Sequence, residues 1–186
     1  LDRLYGGILE ADVRRQGEVQ CVGFEGSFLD GRMTPGEDVL AQGIALLGEV
    51  LLDPLTEGDA FRRDYVEAEK RNLIQQLRGE MNDKRQYAQL RTIALMCAGE
   101  PCGVNKLGDE ETAAAVTGAS LFDQYRRVLE TAPVELFCSG SAEFGALADL
   151  WRGALSRLPL CGTRQRPKTE RTPAPASPRR FADRME

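Results

Sequence analysis

Apolar positions along the chain fall into short runs whose period changes from segment to segment. Leu1 to Tyr5 read as the last turn of a helix ended by Gly6-Gly7, since glycine takes the left-handed conformation that closes helices. Residues 8–15 alternate loosely and residues 19–24 alternate better, with Gln16-Gly17-Glu18 between them, which predicts a β-hairpin. Residues 28–34 read as a loop or strand end. In residues 37–51, Val39, Leu40, Ile44, Leu47, Val50 and Leu51 recur at helical spacing, and Asp53-Pro54 closes the helix because a residue before proline leaves the α region.

Residues 61–79 form the longest predicted helix. Val66, Leu73, Ile74 and Leu77 make one stripe, with Arg63, Arg71 and Arg78 facing away. Asn82-Asp83 breaks it, and a second helix over 85–97 turns Tyr87, Leu90, Ala94 and Cys97 inward. A loop over 99–108 leads to a short helix over 109–116. Thr117 or Ser120 then caps a helix reaching Glu130, with Leu121, Tyr125, Val128 and Leu129 inward. Pro133 precedes a predicted strand over 134–139 ended by Gly140, and 144–158 is a final helix. Few strands with helices grouped between them give an α+β fold class, not a regular βαβ alternation.

Composition then narrows the chemistry. Of 186 residues, 42% are hydrophobic and 28% charged, and none is histidine. Ser-His-Asp and Cys-His catalysis and imidazole zinc sites are therefore excluded for this chain alone. The net charge is −5, unevenly placed: residues 162–186 hold 7 basic and 3 acidic side chains, leaving 17 basic and 26 acidic in the rest. An acidic body argues against nucleic acid as a partner. No apolar run approaches the roughly 18 residues of a membrane helix. Residues 162–178 hold Pro167, Pro173, Pro175 and Pro178 with little apolar content, as an extended linker does. Trypsin is expected to cut there first, at Arg164 or Arg171.

Five cysteines stand at 21, 97, 102, 138 and 161. The Cys97 to Cys102 spacing is not the C-x-x-C of a zinc knuckle or redox site. Cys21 and Cys138 lie in apolar strand-like runs, where a free thiol behaves as a small hydrophobe. All five are expected to be reduced thiols of a cytoplasmic protein, and the chain is not expected to retain zinc.

Two polar clusters stand out. Glu67, Glu69 and Lys70 lie on the longest helix, Glu67 at the edge of its apolar stripe; from spacing alone a charged helix surface is the better reading of them. Asn82-Asp83-Lys84 with Tyr87 and Arg91 marks a helix junction, Asp83 capping the helix that follows. Ser139-Gly140-Ser141 lacks both G-x-S-x-G and a histidine and reads as a strand-ending turn. Neither a G-x-x-x-x-G-K-[ST] nor a strand-linked G-x-G-x-x-G occurs.

Taken in order, several segments resemble the M16 (insulinase, or pitrilysin) peptidases. They are Leu1-Asp-x-Leu4-Tyr5-Gly6-Gly7, the Gly17 hairpin into Phe24, and Leu46-Leu-x-x-Val50-Leu-Leu-x-Pro54. Ala60-Phe61, Tyr65-Val-Glu67-x-Glu69-Lys70-x-Asn72-Leu-Ile74 and Asn82-Asp-Lys-x-x-Tyr87-Ala88 follow. Arg91, Met96, Gly108 and Leu121-x-x-x-Tyr125 complete the series. The likeness covers about residues 1–158 and is greatest to a bacterial, non-catalytic subgroup associated with elongation factor P modification. It implies an antiparallel sheet packed by helices, in a half-domain that closes a peptide chamber with a second half. Residues 1–160 would be part of the N-terminal half, 161–178 a Pro/Arg-rich linker, and 179–186 the start of a second half-domain.

Active family members are zinc endopeptidases with an inverted H-x-x-E-H motif, whose glutamate activates water, and a downstream glutamate ligand. That ligand falls on Glu67, with Glu69 as the fallback. Without histidine the chain has no catalytic residue of its own, no cofactor is expected in it, and its substrate-binding residues are not identified. The resemblance thus implies a catalytically incompetent fragment, a subunit that partners an active M16 peptidase in peptide processing. The alternative is an active zinc metalloendopeptidase whose motif lies upstream of Leu1. The expected partners are a second M16-like protein or half-domain, peptide substrates, and a second copy of the fragment, with neither nucleic acid nor membrane.

Overall fold

The glycine at position 17 sits at φ +60°, and the chain reverses there into a hairpin. Strand β1 (Ile8–Gln16) pairs antiparallel with β2 (Val19–Ser27), in a register that sets Val13 opposite Val22 and closes on Gln16 opposite Val19. The computed structural model describes residues 4–159, 173, 177 and 180–182. Most of the expected linker (161–178) and of the expected second half-domain start (179–186) lies outside the described residues. The remaining elements are helical: α1 (Val39–Leu52), α2 (Arg63–Gly79), α3 (Lys84–Met96), α4 (Glu110–Ala115), α5 (Gly118–Thr131) and α6 (Phe144–Ala154). The architecture is α+β, with a two-stranded antiparallel sheet. Among the described residues, no helix is long and apolar enough to cross a membrane.

Helix α1 is the most deeply buried element. Val39 is 0% and Ile44 2% exposed, and Leu47, Gly43 and Gly48 complete its inner stripe. Both glycines are required by close approach. A Cβ on Gly43 would lie 2.7 Å from the Phe28 ring, and one on Gly48 would lie 2.9 Å from the Ala154 carbonyl oxygen. Phe28 thereby wedges the end of the hairpin onto α1, and α6 lies across the other half of the same helix. The Asp53 carboxylate at the C-terminus of α1 receives both guanidinium arms of Arg157, one at 2.7 Å, which ties that end to the chain following α6.

Local capping fixes the helix starts. Asp38, Asp83, Asp109 and Glu143 each accept a backbone N–H of the following turn. Thr117 and Ser120 form a reciprocal capping box at α5, so both residues named from sequence take part. Tyr125 of α5 donates its hydroxyl to the Leu51 carbonyl at 2.6 Å. That carbonyl is one of the four at the end of α1 that no intrahelical N–H can reach.

Several sequence expectations are corrected. Residues 134–139 form no strand: a strand exists only through ladder partners, and the two paired strands lie elsewhere in the chain. Helix packing reaches the sheet only at its Phe28 end among the described residues, and every residue of β2 is exposed. Cys21 and Cys138 are exposed accordingly, rather than packed as small hydrophobes. Helix α6 stops at Ala154, four residues early, where Leu155 leaves helical geometry. The inward face of α5 is also turned. Leu121 and Val128 are exposed, while Phe122, Tyr125 and Leu129 are half-buried. Val50 of α1 is likewise exposed, although it shares the helix face of Gly43 and Leu47.

Candidate functional site

Helix α2 carries the glutamates singled out from sequence. It begins without a side-chain cap; Arg62 instead clasps Asp64 of the first turn, with Nη2 2.6 Å from the carboxylate, and stacks 4.8 Å from the Tyr65 ring centre. Val66 and Leu77 are buried, so Glu67, one position on, sits at the margin of the packed face. Its carboxylate accepts from Lys70 Nζ at 3.2 Å, and the same ammonium donates to the Val116 carbonyl at 2.9 Å. Only 17% of the Lys70 side chain is exposed, against 45% for Glu67. Lys70 thus straps α2 to the junction of α4 and α5, with Glu67 as its counter-charge. Glu69 points to solvent and accepts weakly from Asn72 at 3.4 Å. Residues two apart on a helix lie on nearly opposite sides, so Glu67 and Glu69 cannot serve one centre together.

Behind this strap lies an aromatic cluster. Phe61 meets Phe122 edge-on and Tyr125 at a steep angle, with centroids 5.4 Å apart in both cases, while Phe122 stacks on Tyr125 at 5.8 Å. Phe61 also donates its backbone N–H to the Gly118 carbonyl at 3.2 Å. Sequence reasoning missed Phe122. The spacing Phe122, Tyr125, Leu129 is as helical as the stripe built on Leu121, and only the aromatic partner Phe61 selects between them.

A cleft of about 360 Å³ lies between α1 and α6, bounded by Ile44, Gly48, Leu150 and the Asp53–Arg157 pair. It shares no residue with α2, so the glutamates do not line it. Just before α6, Ser141 Oγ donates to the Asp30 carboxylate, which also grips Arg32 at 2.7 Å. Those two partners hold the Asp30 carboxyl well below the usual carboxylate range. Ser141 is therefore a donor to an aspartate and not an activated nucleophile.

Elsewhere three chemistry-bearing side chains converge without having been expected to. Cys97 ends α3, Gly99 takes φ +87°, and the chain doubles back through the turn Pro101–Gly103. Donor atoms of Cys97, Glu100 and Cys102 all lie within 4.8 Å of one another, each residue half-buried. The four described cysteines are free thiols. Glu67 and Glu69 belong to no such group among the described residues.

Comparison with known proteins adds sequence and fold relatives. No family model matches the chain. Over 144 residues, 77% of the chain, it is 30% identical to "Probable inactive metalloprotease YmfF" of Bacillus subtilis (strain 168). The matched part is 34% of that relative's length. A crystal structure of a conserved protein from Enterococcus faecalis V583 superposes with a TM-score of 0.75 and 22% identity, covering 82% of this chain and 36% of that one. This second likeness establishes a shared fold and carries no function. The chain thus spans about a third of the length of each of these two proteins.

Proposed function

We propose that this chain is the wall-forming part of a non-catalytic, M16-like peptidase homologue, an N-terminal half-domain that partners an active peptidase in handling peptides in the cytoplasm. The observation that carries the reading is the environment of Glu67. A zinc-ligand carboxylate is normally gathered with other donors; here it is neutralised by a largely buried ammonium 3.2 Å away. A lysine in that position repels a dication, and no histidine in the chain can supply the remaining ligands. Similarity to a metalloprotease named as inactive supports the same reading.

Exposed apolar surface supports the need for a partner. Val22 is 71% and Phe137 89% exposed, on the hairpin and on the unpaired segment 134–139 respectively. Unpaired strand edges and apolar side chains of this kind are what a second half-domain, an active M16 subunit or a second copy would cover.

The experiment is hydrolysis of a mixed-sequence quenched fluorescent peptide library, with added zinc, by this chain and by the full-length protein that contains it. Neither is expected to turn the library over. Turnover by the full-length protein that a chelator abolishes and Glu67→Gln removes would overturn the proposal in favour of an active zinc metalloendopeptidase. Light scattering on the isolated chain tests the surface argument: a dimer or larger species is expected, and a strict monomer at high concentration would refute it.

A further inference from the structure

We propose that Cys97, Glu100 and Cys102 bind a thiophilic divalent cation, of which zinc is the best match, as a structural clip unrelated to peptidase chemistry. The linear spacing hides the site, because two cysteines five positions apart in an extended loop stand well separated. Here the loop is folded back by three backbone hydrogen bonds: Glu100 N–H to the Cys97 carbonyl at 2.9 Å, Gly103 N–H to Glu100 at 2.9 Å and Val104 N–H to Pro101 at 3.2 Å. Gly103 lies so close to Cys97 that a Cβ there would stand 2.3 Å from the Cys97 carbonyl oxygen. Fold geometry therefore builds the juxtaposition, and no chance rotamer is needed to create it.

The donor set suits the ion. Zinc takes thiolate sulfur at about 2.3 Å and carboxylate oxygen at about 2.0–2.2 Å in a tetrahedron, which sets neighbouring donors about 3.6–3.8 Å apart. Cys102 Sγ already stands 3.5 Å from the Glu100 carboxylate, and no pair in the group exceeds 4.8 Å. Side-chain rotation alone can supply the remaining approach, which is about 1 Å. Two thiolates select zinc over magnesium or calcium, which prefer all-oxygen shells. A water completes the fourth position. The crowding of three potential anions also has an electrostatic signature: the Cys97 thiol, partial burial and the Glu100 carboxylate together push the Cys102 thiol up to about 11. A dication reverses that penalty, since a coordinating thiol is deprotonated outright.

Position gives the clip a purpose. The loop it would close reaches three neighbours. Arg15 of β1 donates to the Val104 carbonyl, Gln20 of β2 donates to the Lys106 carbonyl at 3.1 Å, and Asn105 donates to Glu80 beyond α2 at 2.9 Å. A metal at Cys97 would fasten the end of α3 to a loop that also bonds both strands of the exposed hairpin.

Titration of the reduced full chain with cobalt(II) tests this. One equivalent should give a thiolate-to-cobalt charge-transfer band and the visible bands of a tetrahedral ion, both displaced by zinc. Losing an outer-shell partner typically weakens a metal site about 10–100-fold, so Cys97→Ser or Cys102→Ser should cost at least about 100-fold and Glu100→Gln at least about tenfold. Glu100→Gln keeps both thiols and the size and shape of the side chain, so it reports on the site even where a cysteine variant folds poorly. A Cys21→Ser, Cys138→Ser, Cys161→Ser triple variant should bind as the parent does. The proposal fails if the reduced chain shows no charge-transfer band, if Glu100→Gln binds undiminished, or if the triple variant loses the band. It also fails if the pair proves to form only a Cys97–Cys102 disulfide, with no metal bound once it is reduced.

Discussion

Gly43→Ala should destabilise the protein, although alanine is the better helix former. Position 43 lies inside α1 and is buried. In an exposed helix the substitution would gain about 0.8–1.0 kcal/mol. Here the new Cβ would stand 2.7–2.8 Å from three carbons of the Phe28 ring, well inside the roughly 3.5–4.0 Å of ordinary carbon contact. The ring would have to retreat by about 1 Å, and Gly7 and Gly26 crowd it as closely, at 2.8 and 2.9 Å for their own absent Cβ atoms. Overpacking of this kind costs about 1–3 kcal/mol. The overpacking term exceeds the propensity term, leaving a net loss of about 1 kcal/mol. Urea unfolding followed by far-ultraviolet circular dichroism reads this as a midpoint lowered by about 0.3–1 M at unchanged slope. Gly153→Ala in α6 is the internal control: nothing lies within 4 Å of its Cβ position, so it should stabilise by up to about 1 kcal/mol. Adding Phe28→Leu to Gly43→Ala should recover about 1 kcal/mol relative to additivity, because the two residues touch. If Gly43→Ala stabilises the chain as Gly153→Ala does, Phe28 is not wedged against α1 and the hairpin is not anchored there.

Other expectations follow from single contacts. Tyr125→Phe leaves the Leu51 carbonyl without its donor and should cost about 0.5–1.5 kcal/mol in urea unfolding; no loss would mean water replaces the hydroxyl freely. Lys70→Met should cost about 1 kcal/mol through the orphaned Val116 carbonyl, whereas Glu67→Gln should cost less, because its pair is half exposed. Asp53 is held below the ordinary carboxylate value by Arg157, so the pair contributes stability above about pH 4 and loses it as pH falls through the depressed value. The urea midpoints of wild type and Asp53→Asn should therefore converge in acid; a gap that persists undiminished at pH 2 would refute the role of the ion pair.

What the sequence determined by itself is what neighbours in the chain decide. Gly17 between two alternating runs produces the hairpin, because only the local turn must take positive φ. Asp83, Thr117 and Ser120 mark helix starts, because a cap bonds to its own first turn. The stripe Val66, Leu73, Ile74 and Leu77 gives α2 its length and inner face. Tertiary structure decided everything that needs a partner distant in sequence. Residues 134–139 have the composition of a strand but, among the described residues, no strand beside them. Helix α5 could present Leu121 or Phe122, and Phe61 of another segment selects Phe122. Glu67 reads alike as a ligand or as a surface charge until Lys70 and the Val116 carbonyl are seen beside it. Cys97 and Cys102 look separate along the chain and meet because Gly99 and Gly103 let the backbone fold onto itself. Local order costs only local entropy, while packing choices are made by contacts whose partners no spacing rule names.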